Sequence, residues 1–270
     1  MTIKKIVPCL DMKEGRIVKG VKFVNLKDMG DPAELAAKYD QEGADELVLL
    51  DINASHENRD ILINVVKRTA KKVSIPFCVG GGLRNIKDVQ MVLNAGANKT
   101  SLNSSIVKNP NLVQELSKEF GSNTIVAAID AKRIYLNQNE DLKDKIVIDT
   151  PEGRCWWEVY TNGGRNPTGI DAIEWGIKLE ELGAGELLPT SMDYDGVKEG
   201  YDIPQLRALA DRVSIPITAS GGCGKLEHFL DAFKKGHADA ALAASVFHYG
   251  TYTIRQVKEY LKSNKIPIRF

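Results

Sequence analysis

Two carboxylates carry the strongest chemical signal in the sequence. The apolar run Ile6-Val7-Pro8-Cys9-Leu10 ends in Asp11 and is followed by Lys13. The run Ala127-Ala128-Ile129 ends in Asp130, 119 residues later, and is followed by Lys132 and Arg133. A short apolar run stopped by an acid is the pattern of a buried parallel strand whose last side chain emerges into a polar mouth. Two acids placed across one mouth can divide general acid and general base roles, their pKa values set apart by their surroundings. The plainer alternative is a structural ion pair of each acid with its neighbouring lysine.

Glycine-rich turns are the second signal. Val79-Gly80-Gly81-Gly82-Leu83 and Ala219-Ser220-Gly221-Gly222-Cys223-Gly224 each lead toward a helix, and each is followed about one βα unit later by a small polar pair, Asn103-Ser104 and Ala244-Ser245. Glycines let backbone N–H groups approach an anion, and a following helix terminus adds partial positive charge. The second group matches the common barrel phosphate site between the loops of strands seven and eight, and the first is its counterpart half a barrel away. Two such cradles across one mouth imply a long ligand with a phosphate at each end. Asp51, Thr190 and Asp193 are further polar strand ends, with Asp195-Gly196 in the next loop. Lys19 could clamp a phosphate or decorate a surface.

Positioning these residues requires a regular scaffold. Apolar runs at Lys5 to Leu10, Leu47 to Asp51, Phe77 to Val79, Thr100 to Leu102, Thr124 to Asp130, Glu186 to Thr190, Ile215 to Ala219 and Ala240 to Ala243 alternate with amphipathic segments, the signature of βα units and a parallel sheet. Helix starts are marked by Asp31-Pro32-Ala33-Glu34, Asn109-Pro110 and Asp202-Ile203-Pro204, and Gly96 and Gly183 stand where helices should stop. Eight repeats without a linker predict one α/β domain over 1–270, a (β/α)8 TIM barrel with a two-fold half-barrel repeat. An open Rossmann-like sheet is the alternative, but no GxGxxG follows the first strand. Period-two apolar residues on either side of Thr150-Pro151-Glu152-Gly153 predict an inserted hairpin at about 134–160, in the loop after strand five. It either shields the site or is a tolerated surface insertion. Pro189, inside the sixth strand, removes a ladder donor and invites a bulge that would shift Thr190.

At the opposite end of the strands, Lys5, Glu46, Lys99 and Glu186 occupy the starts of strands one, two, four and six. Strand starts converge on the bottom face, so two cations and two anions are expected to form a ring closing the barrel axis.

Composition bounds the partners. The chain has 270 residues, 43% of them apolar, with 36 basic against 36 acidic residues and zero formal net charge. There is no basic excess of the kind a nucleic-acid binder carries. No run approaches the roughly 18 apolar residues that span a bilayer, and the N-terminus does not read as a signal peptide, so a cytoplasmic protein is expected. Cys9, Cys78, Cys155 and Cys223 are scattered without CxxC spacing or adjacent histidines, which favours structural thiols. Neither a metal nor a cofactor is expected.

The chain resembles the cyclase subunit of imidazole glycerol phosphate synthase over nearly its whole length. The specific parts are Pro8-Cys9-Leu10-Asp11, Gly15-Arg16-Ile17-Val18-Lys19-Gly20-Val21, Gly30-Asp31-Pro32, Gly43-Ala44-Asp45-Glu46, Val79-Gly80-Gly81-Gly82, Ile129-Asp130-Ala131-Lys132-Arg133, Gly183-Ala184-Gly185-Glu186, Ser220-Gly221-Gly222 and Ala241-Leu242-Ala243-Ala244-Ser245. The resemblance implies a barrel that takes ammonia from a glutaminase docked on its bottom face. It implies conversion of a bisphosphorylated ribulosyl aminoimidazole carboxamide ribotide to imidazole glycerol phosphate and aminoimidazole carboxamide ribotide. By the same resemblance Asp11 and Asp130 are the acid/base pair. Lys19, Gly82, Asn103, Asp195, Gly196, Gly222, Ala244 and Ser245 hold the phosphates or the substrate body, with Ser104, Thr190 and Ser220 beside them. The ring of Lys5, Glu46, Lys99 and Glu186 becomes the ammonia gate. Departures from the family pattern are Pro189 for an aliphatic residue, Val197 for a threonine, Asn98 where an acid often meets the glutaminase, and a longer hairpin. The sister isomerase of the same pathway, which needs no ammonia, and a non-catalytic phosphate-binding scaffold are the alternatives.

Overall fold

A computed structural model describes residues 2–21, 24–52, 63–137 and 142–270, with side chains described outside 19–28. Eight strands form its centre: β1 (Lys5–Lys13), β2 (Leu47–Asp51), β3 (Phe77–Gly80), β4 (Lys99–Leu102), β5 (Ile125–Tyr135), β6 (Glu186–Ser191), β7 (Thr218–Ala219) and β8 (Ala240–Ala243). Parallel pairing runs in chain order from β1 to β6, then from β7 to β8 and back to β1.

The remaining step, β6 to β7, closes the ring through parallel bridges at Leu187–Ile217 and Thr190–Ser220. Leu187 N–H donates to the Pro216 carbonyl at 2.9 Å, Ser220 N–H to the Pro189 carbonyl at 3.1 Å, and Ser191 N–H to the Ser220 carbonyl at 3.2 Å. In this alternation Pro189 would donate to the Thr218 carbonyl, and its ring removes that rung. The missing rung explains why the β6–β7 pairing is broken into bridges and why β7 is shorter than the sequence suggested. The bulge expected at Pro189 is not formed: β6 pairs with β5 in unbroken register from Glu186–Val126 to Ser191–Ala131, so Thr190 stays level with Asp130.

Helices α1 (Pro32–Gln41), α2 (Ile63–Ala70), α3 (Ile86–Asn94), α4 (Asn111–Phe120), α5 (Ala172–Glu181), α6 (Ile203–Ala210), α7 (Leu226–Lys234) and α8 (Ile254–Ser263) surround the strands. Their amphipathic sequences bury residues such as Leu116, Trp175, Phe229 and Leu261 against the outer face of the barrel. Asp31 caps α1 by accepting from the N–H groups of Ala33 and Glu34, and Asp171 caps α5 through Ile173 and Glu174 in the same way. The equivalence of these caps is one trace of the half-barrel repeat. Gly96 and Gly183 take φ of +110° and +98° just past α3 and α5, where a side chain would be strained.

Inside the ring, period-two alternation stacks layers. Val7, Cys9, Val48, Cys78, Val126, Leu188, Ala240 and Leu242 form an apolar plug separate from the larger core outside the strands. Two residues before Val7, Val48 and Leu188 stand Lys5, Glu46 and Glu186; two after Cys9, Ala128 and Leu188 stand Asp11, Asp130 and Thr190. Because side chains alternate across a strand, one inward face carries the charged ring at its base and the acids at its mouth.

Beyond Asp130, β5 leaves the barrel and becomes one strand of an inserted antiparallel sheet. Gly153–Thr161 pairs with it from Asp130–Tyr160 to Tyr135–Cys155, and Ile148–Thr150 folds back on Gly153–Cys155 across the Pro151-Glu152 turn. A hairpin therefore forms where alternation indicated. The pairing runs further, through the edge strand Asn166–Asp171, where Pro167 is tolerated.

Candidate active site

The carboxyl ends of the strands enclose a cavity of about 490 Å³. Asp11, on β1, and Asp130, on β5, line it from strands four steps apart in the ring. Asp11 is buried, and the Cys9 thiol two residues before it donates to its Oδ1 at 3.2 Å. Asp130 accepts a hydrogen bond from Asn103 Nδ2 at 3.0 Å. Burial pushes the Asp130 carboxyl up, to about 6, with the Asp195 carboxylate adding to the rise and Asn103 opposing it.

Both glycine turns lie on the cavity wall, and their backbones match. Gly81 and Gly82 have φ of +93° and +72°, Gly221 and Gly222 of +89° and +100°. A Cβ at Gly81 would stand 2.2 Å from the Asp51 carbonyl oxygen, and one at Gly222 only 1.9 Å from that of Gly200, so glycine is required by close backbone approach as well as by φ. Asn103 (φ −128°, ψ −80°) precedes the helical turn Ser104–Lys108, and Ala244 (φ −121°, ψ −67°) precedes Ser245–His248. Each pair of turn and helical start thus repeats across the barrel, in the positions that could present backbone N–H groups to an anion.

Gly82, Asn103, Ser104, Thr190, Asp195, Gly196, Ser220, Gly222, Ala244 and Ser245 all border this one cavity. The side chain of Lys19 lies outside the described residues. The turn after strand Gly153–Thr161 also reaches the cavity, through Gly163 and Gly164, and the Asn162 N–H donates to Ser104 Oγ at 2.9 Å. This turn, rather than the Pro151-Glu152 hairpin, borders the site. Sequence reading passed over it, together with the inward-facing Cys9 and Ser101; the last two could have been found by counting back two residues from Asp11 and Asn103.

At the other end of the barrel Lys5, Glu46, Lys99 and Glu186 meet in a run of ion pairs. Lys99 Nζ lies 2.8 Å from Glu46 and 2.7 Å from Glu186, and Lys5 Nζ lies 3.3 Å from Glu46. Burial works against the Lys99 charge, but the two carboxylates outweigh it and hold its pKa above the ordinary lysine value. Thr218, which sequence reading did not include, donates to Glu186 Oε1 at 2.6 Å. Asn98 accepts from the Phe77 N–H at 3.0 Å, so its amide helps to bind β4 to the start of β3. All four cysteines are buried and unbridged. Among the described residues no group of three His, Cys, Asp or Glu is placed to hold a metal ion, and no helix is long and apolar enough to cross a membrane.

A closed ring of eight βα units, with cap, turn and helical start repeated half a barrel apart around one mouth, defines a duplicated (β/α)8-barrel protein. The chain belongs to the histidine biosynthesis protein family, whose model matches residues 5–253. It is 57% identical over 270 residues to the imidazole glycerol phosphate synthase subunit HisF of Methanocaldococcus jannaschii, covering 100% of this chain and 99% of that one. It is 55% identical over 272 residues to the protein of the same name from Methanococcus maripaludis, covering 100% of both chains, and 52% identical over 271 residues to that of Methanococcus vannielii, again covering 100% of both.

Proposed function

We propose that the chain works in the cytoplasm as the cyclase subunit of imidazole glycerol phosphate synthase. It uses ammonia to convert the bisphosphorylated ribulosyl aminoimidazole carboxamide ribotide to imidazole glycerol phosphate and aminoimidazole carboxamide ribotide. The observation that carries the site assignment is the placement of Asp11 and Asp130 on one cavity with a glycine turn and helical start at either side. A substrate with a phosphate at each end spans such a mouth, its phosphates held by the Gly82, Asn103 and Ser104 group and by the Ser220, Gly222, Ala244 and Ser245 group, with Lys19 as a further clamp. Thr190, Asp195 and Gly196 border the middle of the substrate. Asp130, titrating near 6, exchanges a proton readily at neutral pH, while Asp11 serves as its partner in acid/base transfer.

Ammonia comes from a glutaminase subunit docked on the bottom face, entering past Lys5, Glu46, Lys99 and Glu186. Glu46 is buried and Lys99 and Glu186 are partly so; desolvated ion pairs are a weak source of net stability, which leaves room for a functional reason to keep them. From Lys5 in the ring to Asp11 at the mouth is six residue steps along β1, roughly 20 Å of strand at about 3.3 Å per residue.

Purified chain, the bisphosphate substrate and an ammonium salt should give ammonium-dependent loss of substrate absorbance. Isomerisation of the earlier pathway ribotide without a nitrogen source would instead identify the sister isomerase. No turnover of either substrate would favour a binding scaffold.

A further inference from the structure

Arg133, three residues beyond Asp130, is charged and only 4% exposed, and it faces Asp202, which is 1% exposed. Its Nε donates to Asp202 Oδ2 at 2.8 Å and its Nη2 to Oδ1 at 2.6 Å, a two-pronged pairing that lysine cannot reproduce. Trp157 Nε1, from the inserted sheet, donates to the same Oδ2 at 2.9 Å. Asp202 also caps α6 by accepting from the Gln205 N–H at 3.2 Å. Burying such a pair is costly and adds little net stability, so what the pair holds in place matters more than its own energy.

What it holds is the loop that follows β6. The Arg133 N–H donates to Asp193 Oδ2 at 2.7 Å, and the guanidinium lies 5.2 Å from the centre of the Tyr194 ring. Ser191 Oγ lies 3.5 Å from Asp202 Oδ2, so both ends of the Ser191–Asp202 segment meet the same ion pair. Asp195, the residue after Tyr194, lines the cavity. We propose that the Arg133–Asp202 pair is a clamp that keeps Asp195 facing Asp130, making Arg133 and Asp202 positioning residues for the acid/base carboxyl. This rests on the reading of Asp130 as an acid/base group.

The charged groups lining the cavity with Asp130 are Asp11 of β1, Asp51 of β2, Lys132 of its own strand, and Asp193 and Asp195 of the clamped loop. Among them, the Asp195 carboxylate is the one that adds to the rise that burial imposes on Asp130, while the Asn103 amide of β4 lowers it. A loosened clamp lets Asp195 retreat, and Asp130 then gives up its proton more easily.

The test uses the full chain with 13C-labelled aspartate. The Asp130 carboxyl signal is assigned by its loss in Asp130→Asn and titrated in the parent, Arg133→Lys, Asp202→Asn and Asp195→Asn, with ammonium-driven turnover measured alongside. The clamp predicts that the Asp130 midpoint falls by roughly half a pH unit or more in all three variants. It also predicts that kcat falls by about 10²-fold in the two clamp variants, the scale of a misplaced catalytic geometry. If Asp202→Asn does not fold, Trp157→Phe removes one donor to Asp202 and should give a smaller shift in the same direction. Parental titration of Asp130 in Arg133→Lys and in the folded Asp202 or Trp157 variant, with only the melting temperature lowered, overturns the proposal. A parent that titrates as described but shows no ammonium-dependent turnover defeats the cyclase reading instead, and the titrations still decide the clamp.

Discussion

Asn103 donates from Nδ2 to the Oδ2 of Asp130 at 3.0 Å, and the same amide nitrogen donates to the Tyr160 carbonyl at 3.0 Å. The residue expected to bind substrate at the head of a helical turn therefore also joins β4, the acid on β5 and the inserted sheet. Because both bonds need the amide N–H groups, the orientation of the side chain is fixed, and its Oδ1 is buried without a partner among the described residues.

Asn103→Ala removes a hydrogen bond that favours the ionised form of Asp130, so the Asp130 pKa should rise from about 6. The acidic limb of the kcat/KM profile should move to higher pH in this variant, the opposite direction to Asp195→Asn. A limb that stays in place, or moves down, would show that Asp130 is not the group it reports.

Asp11→Asn and Asp130→Asn should each keep the fold and cut ammonium-driven turnover by about 10² or more, the scale of a lost acid or base. The Asp130 variant should also be the more stable protein at neutral pH. Its folded carboxyl is pushed up to about 6 from the ordinary aspartate value of 3.8, so the folded parent binds the extra proton between those values. The ionised carboxylate thus costs stability above pH 6, and the cost is relieved as pH falls toward 4. A shift of about two pH units corresponds to roughly 2–3 kcal/mol. Melting curves across pH 4 to 8 should show the variant's advantage at the upper end and its disappearance at the lower.

Gly222→Ala places a Cβ 1.9 Å from the Gly200 carbonyl in the unmoved backbone, at φ +100°. The turn must shift, and the second cradle should lose its ligand: inorganic phosphate should occupy two sites in the parent and one in the variant. Gly43→Ala is the control for strain alone, since its φ of +88° is equally unsuited to a side chain while nothing lies within 4 Å of the added atom. Equal phosphate binding in parent and Gly222→Ala would undo the assignment of that cradle.

Lys99→Ala leaves Glu46 and Glu186 facing each other without the cation that bridges them. Losing one partner of a buried pair costs several kcal/mol in general, so the melting temperature should fall. The functional expectation is selective: the glutamine-driven rate with the glutaminase present should drop well below the ammonium-driven rate, because free ammonia can enter from the open mouth. Equal losses in both assays would make the ring a structural plug.

Much of this was written locally. The strand ends at Asp11 and Asp130, the caps at Asp31 and Asp202, the glycine turns and the inward alternation from Lys5 to Asp11 all follow from short-range spacing. Dihedral preference and strand periodicity act within a few residues. Tertiary structure decided the rest. Whether Pro189 would bulge the sixth strand depended on how β5 and β7 flank it, and unbroken pairing with β5 absorbed the lost rung. Asn103 meets Asp130, Thr218 meets Glu186 and Arg133 meets Asp202 across sequence separations of 27, 32 and 69 residues. No periodicity encodes such pairs, because a side-chain hydrogen bond depends on distance and angle set only when the ring closes. The sequence placed the acids at one mouth; the closed barrel determined that Asn103 donates to Asp130 there.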